Sequence, residues 1–392
     1  MKKQVPMPAF FRLLAAVFFF PTAFCFSVSA NEDLVLRCRW PSPNDRSPQE
    51  IVFSGNPLIV IPPGETFSVR AEAPDVVCRL AVIIDGQSYR EDESLNFTAP
   101  QNSGAYYLLL AINAADRQRN VELCVLVPAK AVARRTGSGL DVSLEDRFIG
   151  HYPHPNRSRN AKVRANPDSY QPPTWWMQIT EANASFEVMP GIMAQELVAT
   201  SEDTGDRHTD IVPVMYPMWK AIVAVRNALE ERMAVPGSAL KLISVFRAPA
   251  YNRSIGSGAF SRHVYGDAFD FYLDLDNQGK AADLNRDGRL DRQDAYPLVA
   301  LIESLQAEGK IPMGGIGVYH TVGGDHEVTL HLDLRGHRAT WGFLTSPSGR
   351  RSHFSWLSKN FADIDRRDEE EAARRTAAEG GKYSPPRREP LP

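Results

Sequence analysis

The sequence predicts an α+β domain preceded by an all-β domain. Between residues 57 and 127, short apolar runs are separated by Pro, Gly and Asp turn signals, which is typical of a sandwich of short strands. From about residue 186, apolar segments with helical spacing alternate with strand-like segments, which is typical of the α+β class. A length of 392 residues, with 43% apolar residues, is sufficient for two or three domains.

The first thirty residues have the pattern of a signal peptide. Lys2 and Lys3 precede an apolar run over residues 10–26, and Val28-Ser29-Ala30 supplies small residues for a cleavage site. A membrane anchor is the alternative, but the cleavage pattern favours removal of residues 1–30. No later stretch reaches about 18 apolar residues. We therefore expect the mature chain to have no transmembrane span and to be exported to the periplasm or the extracellular space.

Residues 31–130 are predicted to form the β-sandwich domain, and the strand start at Gly104-Ala105-Tyr106 is similar to that of immunoglobulin-like modules. A cell-wall or protein partner is the expected ligand of this domain. The mature chain has three cysteines, all within it: Cys38, Cys78 and Cys124. For an exported protein we expect one disulfide and one buried thiol, with the pairing unassigned.

Residues 131–185 are rich in Arg, Pro, Asn and Ser, and we expect a linker or a small irregular subdomain there. Trp175 and Trp176 are predicted to anchor this segment against the next domain, in preference to stacking on sugars. His151 and His154 have a spacing that occurs in metal sites, but histidines in a Pro-rich stretch are more often surface residues.

Residues 186–362 are predicted to form the α+β domain. Helical spacing covers residues 212–233 and 297–308, and strand-like runs cover 240–246 and 328–334. Residues 363–392 are mostly charged residues and prolines, so we expect a disordered tail. The formal net charge of −3 provides no electrostatic reason to expect nucleic acid as a partner.

Two histidines and one aspartate of this domain indicate a metal site. His263 and Asp270 lie in the run Ser261-Arg-His-Val-Tyr-Gly-Asp-Ala-Phe-Asp270, and His331 follows in the run Leu-His-Leu-Asp333. Imidazole and carboxylate ligands suit zinc, and three protein ligands leave a fourth position for water, as in catalytic zinc sites. The sequence therefore predicts a zinc enzyme.

Four motifs follow one another in the α+β domain. They are Ser244-Val-Phe-Arg247 with Tyr251 and Asn252, the Ser-x-His-x2-Gly-x-Ala-x-Asp pattern, Gly314-Gly-Ile-Gly-Val-Tyr319, and His331-x-Asp333-x-Arg335-Gly336 with Trp341. In this order they resemble the M15 family of zinc peptidases, which includes D-Ala-D-Ala carboxypeptidases and peptidoglycan endopeptidases. The resemblance covers roughly residues 186–345. It implies a small antiparallel sheet with helices, a zinc ion held by His263, Asp270 and His331, and substrate contacts from Arg247 and Ser261.

The general base departs from the family pattern. Many relatives carry Glu or Asp three residues before the last zinc histidine, where this chain has Val328. Alternate residues of a strand share a face, so Glu327, His331 and Asp333 are expected to point the same way. Asp333 is favoured, either as the base or as the partner that holds the His331 imidazole, and Glu327 is the rival base.

Residues 283–294 match the calcium loop of EF-hands and dockerins. Oxygen donors stand at positions 1, 3, 5, 9 and 12, a backbone carbonyl at 7, and glycine at 6, where the loop turns sharply. The predicted ligands are Asp283, Asn285, Asp287, Arg289 (carbonyl), Asp291 and Asp294. We expect Ca²⁺ in an insertion over residues 274–296, and an acidic surface loop is the plainer alternative.

The leading expectation is an exported zinc metallopeptidase that hydrolyses peptidoglycan stem or cross-link peptides, by metal-assisted hydrolysis. The alternatives are a non-catalytic cell-wall-binding protein with a degenerate peptidase domain, and a module that binds a partner protein through the calcium loop. Carboxypeptidase and endopeptidase activity stay open, because pocket depth and loop closure decide between them.

Overall fold

The computed structural model describes residues 34–74, 77–84, 87–115, 117–198, 209–320 and 328–342. The chain divides into two compact units: one runs up to residue 219 and includes 246–266, and the other comprises 220–245 and the residues from 267 on. Their elements are mostly strands with few helices, in mixed sheets, so the class is α+β as predicted. The predicted signal peptide and the predicted tail lie outside the described residues.

The first unit begins with two sheets. Strands β1 to β9 are Val35–Pro41, Pro48–Phe53, Leu58–Val60, Thr66–Glu72, Cys78–Ile84, Gln87–Asp92, Ser94–Thr98, Gly104–Ala114 and Arg117–Val127. One sheet has the order β2-β1-β4-β7 and the other the order β3-β9-β8-β5-β6. Buried and more exposed side chains alternate along β1 and β4 because this sheet buries one face. The described elements of this region are all strands, in agreement with the predicted all-β domain.

The expected disulfide is wrong for the cysteines that the structure describes. No disulfide joins Cys38, Cys78 and Cys124 to one another, and all three are buried. Cys78 on β5 is paired with Ala114 of β8, and Cys124 on β9 is paired with Tyr107 of β8. These partners are seven residues apart along β8, which places the two thiols more than about 20 Å from each other. Cys38 lies in the other sheet. A disulfide needs Cα atoms within about 7 Å, so the sheet order keeps these thiols apart.

Residues 131–185, expected to be a linker or an irregular subdomain, contain a three-stranded sheet. Strands β10 to β14 are Ala129–Lys130, Val132–Arg135, Gly139–Leu144, Arg147–Pro153 and Trp175–Gln178, and helix α1 is Ala161–Ala165. The sheet has the order β11-β12-β13, and β14 pairs with β10. Trp176 is fully buried, and its ring packs against Phe246 at 5.3 Å between centroids. Trp176 is therefore an internal anchor.

The remaining elements lead to a five-stranded sheet. Strands β15 to β18 are Glu187–Met189, Ile192–Met193, Ile211–Pro213 and Leu240–Ser244, and strands β19 to β22 are Ala268–Leu273, Gly315–His320, Val328–Asp333 and Ala339–Gly342. Helices α2, α3 and α4 are Tyr216–Met233, Pro249–Ser254 and Tyr296–Ala307. Helix α4 begins next to Pro297 and is followed by Gly309 in the left-handed region, as expected for a helix start and stop. Within the described ranges, no helix has the length and apolar character needed to cross a membrane.

The five-stranded sheet has the order β18-β19-β21-β20-β22. Three of its strand pairs are antiparallel, but β22 runs parallel to β20. The expectation of a purely antiparallel sheet is therefore wrong at this edge. Strand β22 starts at the end of the sheet where β21 finishes and β20 begins, so it can pair with β20 only in the parallel direction.

Candidate metal centre

One row of residues crosses all five strands of this sheet. The register pairs Ser244 with Asp270, Asp270 with His331, His331 with Gly317, and Gly317 with Trp341. Directly paired residues on neighbouring strands project from the same face of a sheet. The row therefore collects on one face side chains that are far apart in the sequence.

Asp270 and His331 are buried neighbours in this row. Oδ1 of Asp270 lies 2.7 Å from Nδ1 of His331, and Nε2 of the same imidazole lies 3.1 Å from Oδ2 of Asp333. Burial opposes protonation of the imidazole, but the hydrogen bonds to Asp270 and Asp333 outweigh it and raise the pKa of His331 above its usual value. The His331 ring is thus oriented by a carboxylate at each nitrogen.

His263 lies in a single 3₁₀ turn, Arg262–Tyr265, that ends at Gly266. Gly266 has a φ of +76°, and a Cβ there would lie 2.4 Å from Cγ of Pro213, so glycine is needed for both conformation and space. The backbone N–H groups of Arg247 and Gly266 donate to the carbonyl of His263 at 3.2 and 3.1 Å. These contacts fix the backbone that carries the imidazole.

A small core supports this turn. Its buried members are Val142, Tyr152, Val163, Tyr170, Val264 and Tyr265. The hydroxyl of Tyr152 donates to the carbonyl of Val264 at 3.0 Å, and the Arg262 guanidinium lies 4.7 Å from the ring centre of Tyr170. Because Tyr152 and Tyr170 belong to residues 131–185, that segment contributes to the support of the turn that holds His263.

The three predicted zinc ligands lie together. His263, Asp270 and His331 each offer one ligand atom, all within 4.8 Å of one another, and their exposed fractions are 1%, 7% and 5%. No other set of three His, Cys, Asp or Glu side chains comes as close within the part of the chain that the structure describes. Two imidazoles and one carboxylate are a donor set that fits Zn²⁺.

Residues 195–297 match the family model described as Peptidase M15. This segment belongs to the M15 peptidase family. Membership indicates a peptidase of the peptidoglycan-hydrolase kind. The matched residues include His263 and Asp270 but end before His331, which is paired with Asp270 across β19 and β21.

Comparisons with curated proteins and with solved structures provide no further evidence on the fold or the function. A comparison with curated proteins finds no match. Among solved structures, a quinonprotein alcohol dehydrogenase-like protein from Bacteroides thetaiotaomicron is 13% identical over 22% of this chain, with a TM-score of 0.16. The chain covers 21% of that protein, and a likeness at this level carries no argument about fold or function.

Asp333 is fully buried beside the candidate ligands. Its Oδ1 accepts hydrogen bonds from the backbone N–H of Gly315 at 3.0 Å and from Nε of Arg335 at 2.8 Å, and its Oδ2 accepts one from Nη2 of Arg335 as well as facing His331. Burial opposes ionisation, but the hydrogen bonds from His331 and Arg335 outweigh it and hold the pKa of Asp333 well below its usual range. Both oxygens of this carboxylate are engaged.

The remaining predicted residues of the zinc site are Arg247, Ser261 and Glu327. Arg247 and Ser261 are half-buried, and the carbonyl of Ser261 accepts the backbone N–H of Val264 in the turn that carries His263. Their contact with a substrate stays a prediction. Glu327, the rival base, lies outside the described residues, since strand β21 begins at Val328.

The predicted calcium loop contains a tight acidic turn, and the same turn occurs upstream. Oδ1 and Oδ2 of Asp283 accept the backbone N–H groups of Asp287 and Gly288 at 3.2 and 2.8 Å. Asp274 accepts those of Gln278 and Gly279 at 3.0 and 2.8 Å. The turn that begins at Asp274 therefore has the same hydrogen-bond pattern as the turn that begins at Asp283 in the predicted calcium loop.

Asp294, the last residue of the predicted calcium loop, binds the backbone at two other points of the loop. It is buried and accepts the backbone N–H groups of Leu284 and Asp291 at 2.8 and 2.9 Å. Burial raises the pKa of Asp294 to about 7, and the charges of Asp283 and Asp291 add to this effect. The loop aspartates do not form a three-membered group at ligand distance within the described ranges, so calcium is not shown here.

Sequence reasoning missed the role of two glycines before Tyr319. A Cβ at Gly317 would lie 2.4 Å from Nε1 of Trp341, and a Cβ at Gly315 would lie 2.6 Å from Oδ2 of Asp333 and 2.7 Å from Cζ3 of Trp341. Neither glycine has a positive φ, so both are needed for space alone. The signal was the Gly-x-Gly spacing, which places two missing side chains on one face of a strand.

Proposed function

We propose that the predicted α+β domain, residues 186–362, is a zinc-dependent peptidase that hydrolyses peptidoglycan stem or cross-link peptides. The observation that carries this proposal is the buried group of His263, Asp270 and His331 beside a segment of M15 peptidase sequence. The donor set fits zinc, and the family accounts for the class of substrate. The predicted signal peptide supports export to the compartment that contains such peptides.

The contacts at the site suggest a separate role for each residue in the proposed reaction. A bound zinc ion would polarise the scissile carbonyl and lower the pKa of a water molecule towards about 7. His263, Asp270 and His331 would hold the ion. Asp333 would keep the His331 ring in place, because a carboxylate behind a ligating histidine fixes its tautomer and orientation.

We assign proton transfer to Glu327 in preference to Asp333. Both oxygens of Asp333 are engaged by Arg335, Gly315 and His331, and its pKa is held low, which suits a fixed charge better than a proton carrier. Glu327 directly precedes Val328 in the sequence, and it is the other carboxylate that the sequence predicts as a base. Glu327 stands one residue before position 328, where many M15 relatives carry the acidic residue, and this position supports the role.

Substrate recognition is assigned to Arg247 and Ser261. The planar guanidinium of Arg247 suits a peptide carboxylate or the carbonyl that is cleaved. Its backbone N–H already contacts the carbonyl of His263, so its position is tied to that of a ligand.

We also propose that residues 283–294 bind Ca²⁺ as a structural ion. The spacing of the oxygen donors and the repeated Asp283-type turn support this proposal. Binding would require the loop to close further around the ion. Calorimetric titration of the full chain with CaCl₂ tests it, with Asp283→Ala as the variant that should lose the heat of binding.

Digestion of purified muropeptides, with products read by mass spectrometry, tests the proposed function. The full-length protein should cleave in the presence of zinc, and both chelation and His263→Ala should abolish cleavage. His154→Ala is the matched control, because His154 is exposed and does not belong to the metal group. Zinc binding without any cleavage product would favour the non-catalytic wall-binding alternative.

A further inference from the structure

We propose that Trp341 is a positioning residue of the metal centre, whose indole holds the His331 imidazole in the orientation that metal binding needs. Gly317 makes room for this indole, and Gly315 makes room for both the indole and the Asp333 carboxylate. The inference rests on the proposed zinc function and deepens it by assigning residues beyond the metal ligands and their carboxylate partner.

The indole of Trp341 is fixed by contacts on several sides. Its Nε1–H donates to the hydroxyl of Tyr319 at 2.5 Å, and Cζ of Arg335 lies 5.0 Å from its ring centre. Its ring centroid lies 4.8 Å from that of His331, with a tilt of 59° between the planes. Arg335 also binds Asp333, and Asp333 contacts Nε2 of His331, so Trp341 and Asp333 hold the same imidazole through a shared partner.

Trp341 reaches His331 only because one side chain is missing between them. His331 on β21 and Trp341 on β22 are both paired with Gly317 on β20, which separates their strands. A Cβ at Gly317 would lie 2.4 Å from Nε1 and 2.6 Å from Cε2 of the indole, closer than two atoms can approach without displacement. Any other residue at 317 would therefore push the indole away from the imidazole.

Hydrogen bonds at the two ring nitrogens constrain the His331 imidazole within its plane. They do not stop the ring from tilting out of that plane, towards the space above Gly317. The indole fills that space and limits both the tilt and the access of water to that side of the ring. Loss of groups that orient a ligating histidine typically weakens metal binding by about 10–100-fold.

Zinc affinity of the full-length protein, measured by competition with a chromophoric chelator, tests this inference. Trp341→Ala should weaken binding by about 10–100-fold, and Trp341→Phe should restore part of the loss because a ring again occupies the space. Gly317→Ala should weaken binding in the wild-type background. In the Trp341→Ala background the same change should have little further effect, since the clash is gone and the backbone at 317 accepts alanine.

Gly137→Ala is the matched control, because a Cβ there meets no atom within 4 Å. Wild-type affinity in Trp341→Ala, or additive losses in the double variant, would overturn the inference. The measurement needs no substrate, so a protein that binds zinc but cleaves nothing contradicts the proposed function and leaves this inference standing.

A metal-free readout covers the case in which the wild type binds no zinc. The ¹⁵N side-chain signals of His331, in full-length protein labelled at histidine, should be sharp in the wild type. They should broaden or split in Trp341→Ala, while those of His154 stay unchanged. Identical His331 signals in both proteins would mean that Trp341 does not position the ring.

Discussion

Oδ1 of Asp270 lies 2.7 Å from Nδ1 of His331, and the two residues are paired directly across β19 and β21. A shift of this pairing by one residue would send one of the two side chains to the opposite face of the sheet. The same register pairs Asp333 with Ala268, which leaves space beside the carboxylate. Two of the three candidate ligands are therefore positioned by the hydrogen-bond ladder of a buried sheet, which is a rigid support for a metal site.

Removing one metal ligand should abolish zinc binding. We expect His331→Ala to lose more than the about 10–100-fold in affinity that follows loss of an outer partner, because one of three ligands is gone. Metal analysis after dialysis checks this, with circular dichroism to confirm that the sheet is intact. Zinc retained in stoichiometric amount by His331→Ala would place the metal elsewhere.

Asp333→Asn should lose zinc affinity, whereas Glu327→Gln should lose catalytic rate. Asn in place of Asp333 loses the charge that Arg335 and His331 contact, so zinc affinity should fall by about 10–100-fold. Glu327→Gln should keep zinc but lose about 10²–10⁴-fold in kcat, as expected for a general base. Zinc affinity and muropeptide turnover, measured for both variants, separate these roles. A normal zinc affinity with a large loss of kcat in Asp333→Asn would make Asp333 the base.

The buried hydroxyl of Tyr216 should contribute to the stability of the first unit. It accepts hydrogen bonds from Nε1 of Trp40 at 2.8 Å and from the backbone N–H of Val60 at 3.2 Å, and it donates to the carbonyl of Val60 at 3.1 Å. Tyr216→Phe leaves these buried groups without that partner, so the free energy of unfolding should fall by about 1–3 kcal/mol.

Urea unfolding followed by fluorescence measures this loss. Tyr106→Phe is the matched control, since the Tyr106 hydroxyl makes a more exposed bond to the carbonyl of Asn102 and should matter less. Equal unfolding midpoints for Tyr216→Phe and the wild type would show that the buried network adds nothing to stability.

Glu187 should make the stability of the protein depend on pH. Burial raises the pKa of Glu187, although the backbone N–H groups of Gly55 and Gly191 and the charge of Arg119 oppose the shift. One of its carboxylate oxygens is buried and has no hydrogen-bond partner within the described residues. Between the unfolded and the raised folded pKa, the folded state binds more protons, so the free energy of unfolding falls as pH rises through that window.

Glu187→Gln removes this titration. The variant should be more stable than the wild type at pH 8, where the wild type carries the buried charge, and should show no such gain at pH 4. Urea midpoints at both pH values provide the measurement. The same difference between the two proteins at pH 4 and pH 8 would exclude Glu187 as the source of the pH dependence.

Patterns within short windows of sequence predicted much of the architecture. The helical spacing of residues 212–233 and 297–308 corresponds to α2 and α4, because burial of one helix face imposes that spacing locally. The turn signals before residue 130 correspond to an all-β region. The parallel edge strand β22 and the sheet within residues 131–185 were not predicted, because both depend on pairing between segments that carry no local signal of their partners.

The sequence by itself determined the chemistry of the candidate site: two imidazoles and a carboxylate, in motifs that resemble those of M15 peptidases. Only the tertiary structure decided that Asp333 has both oxygens engaged, that Trp341 lies against His331, and that Gly315 and Gly317 provide the space for it. The physical reason is that donor chemistry belongs to individual side chains. Orientation and space depend on the register of five strands, which is set by long-range pairing and packing.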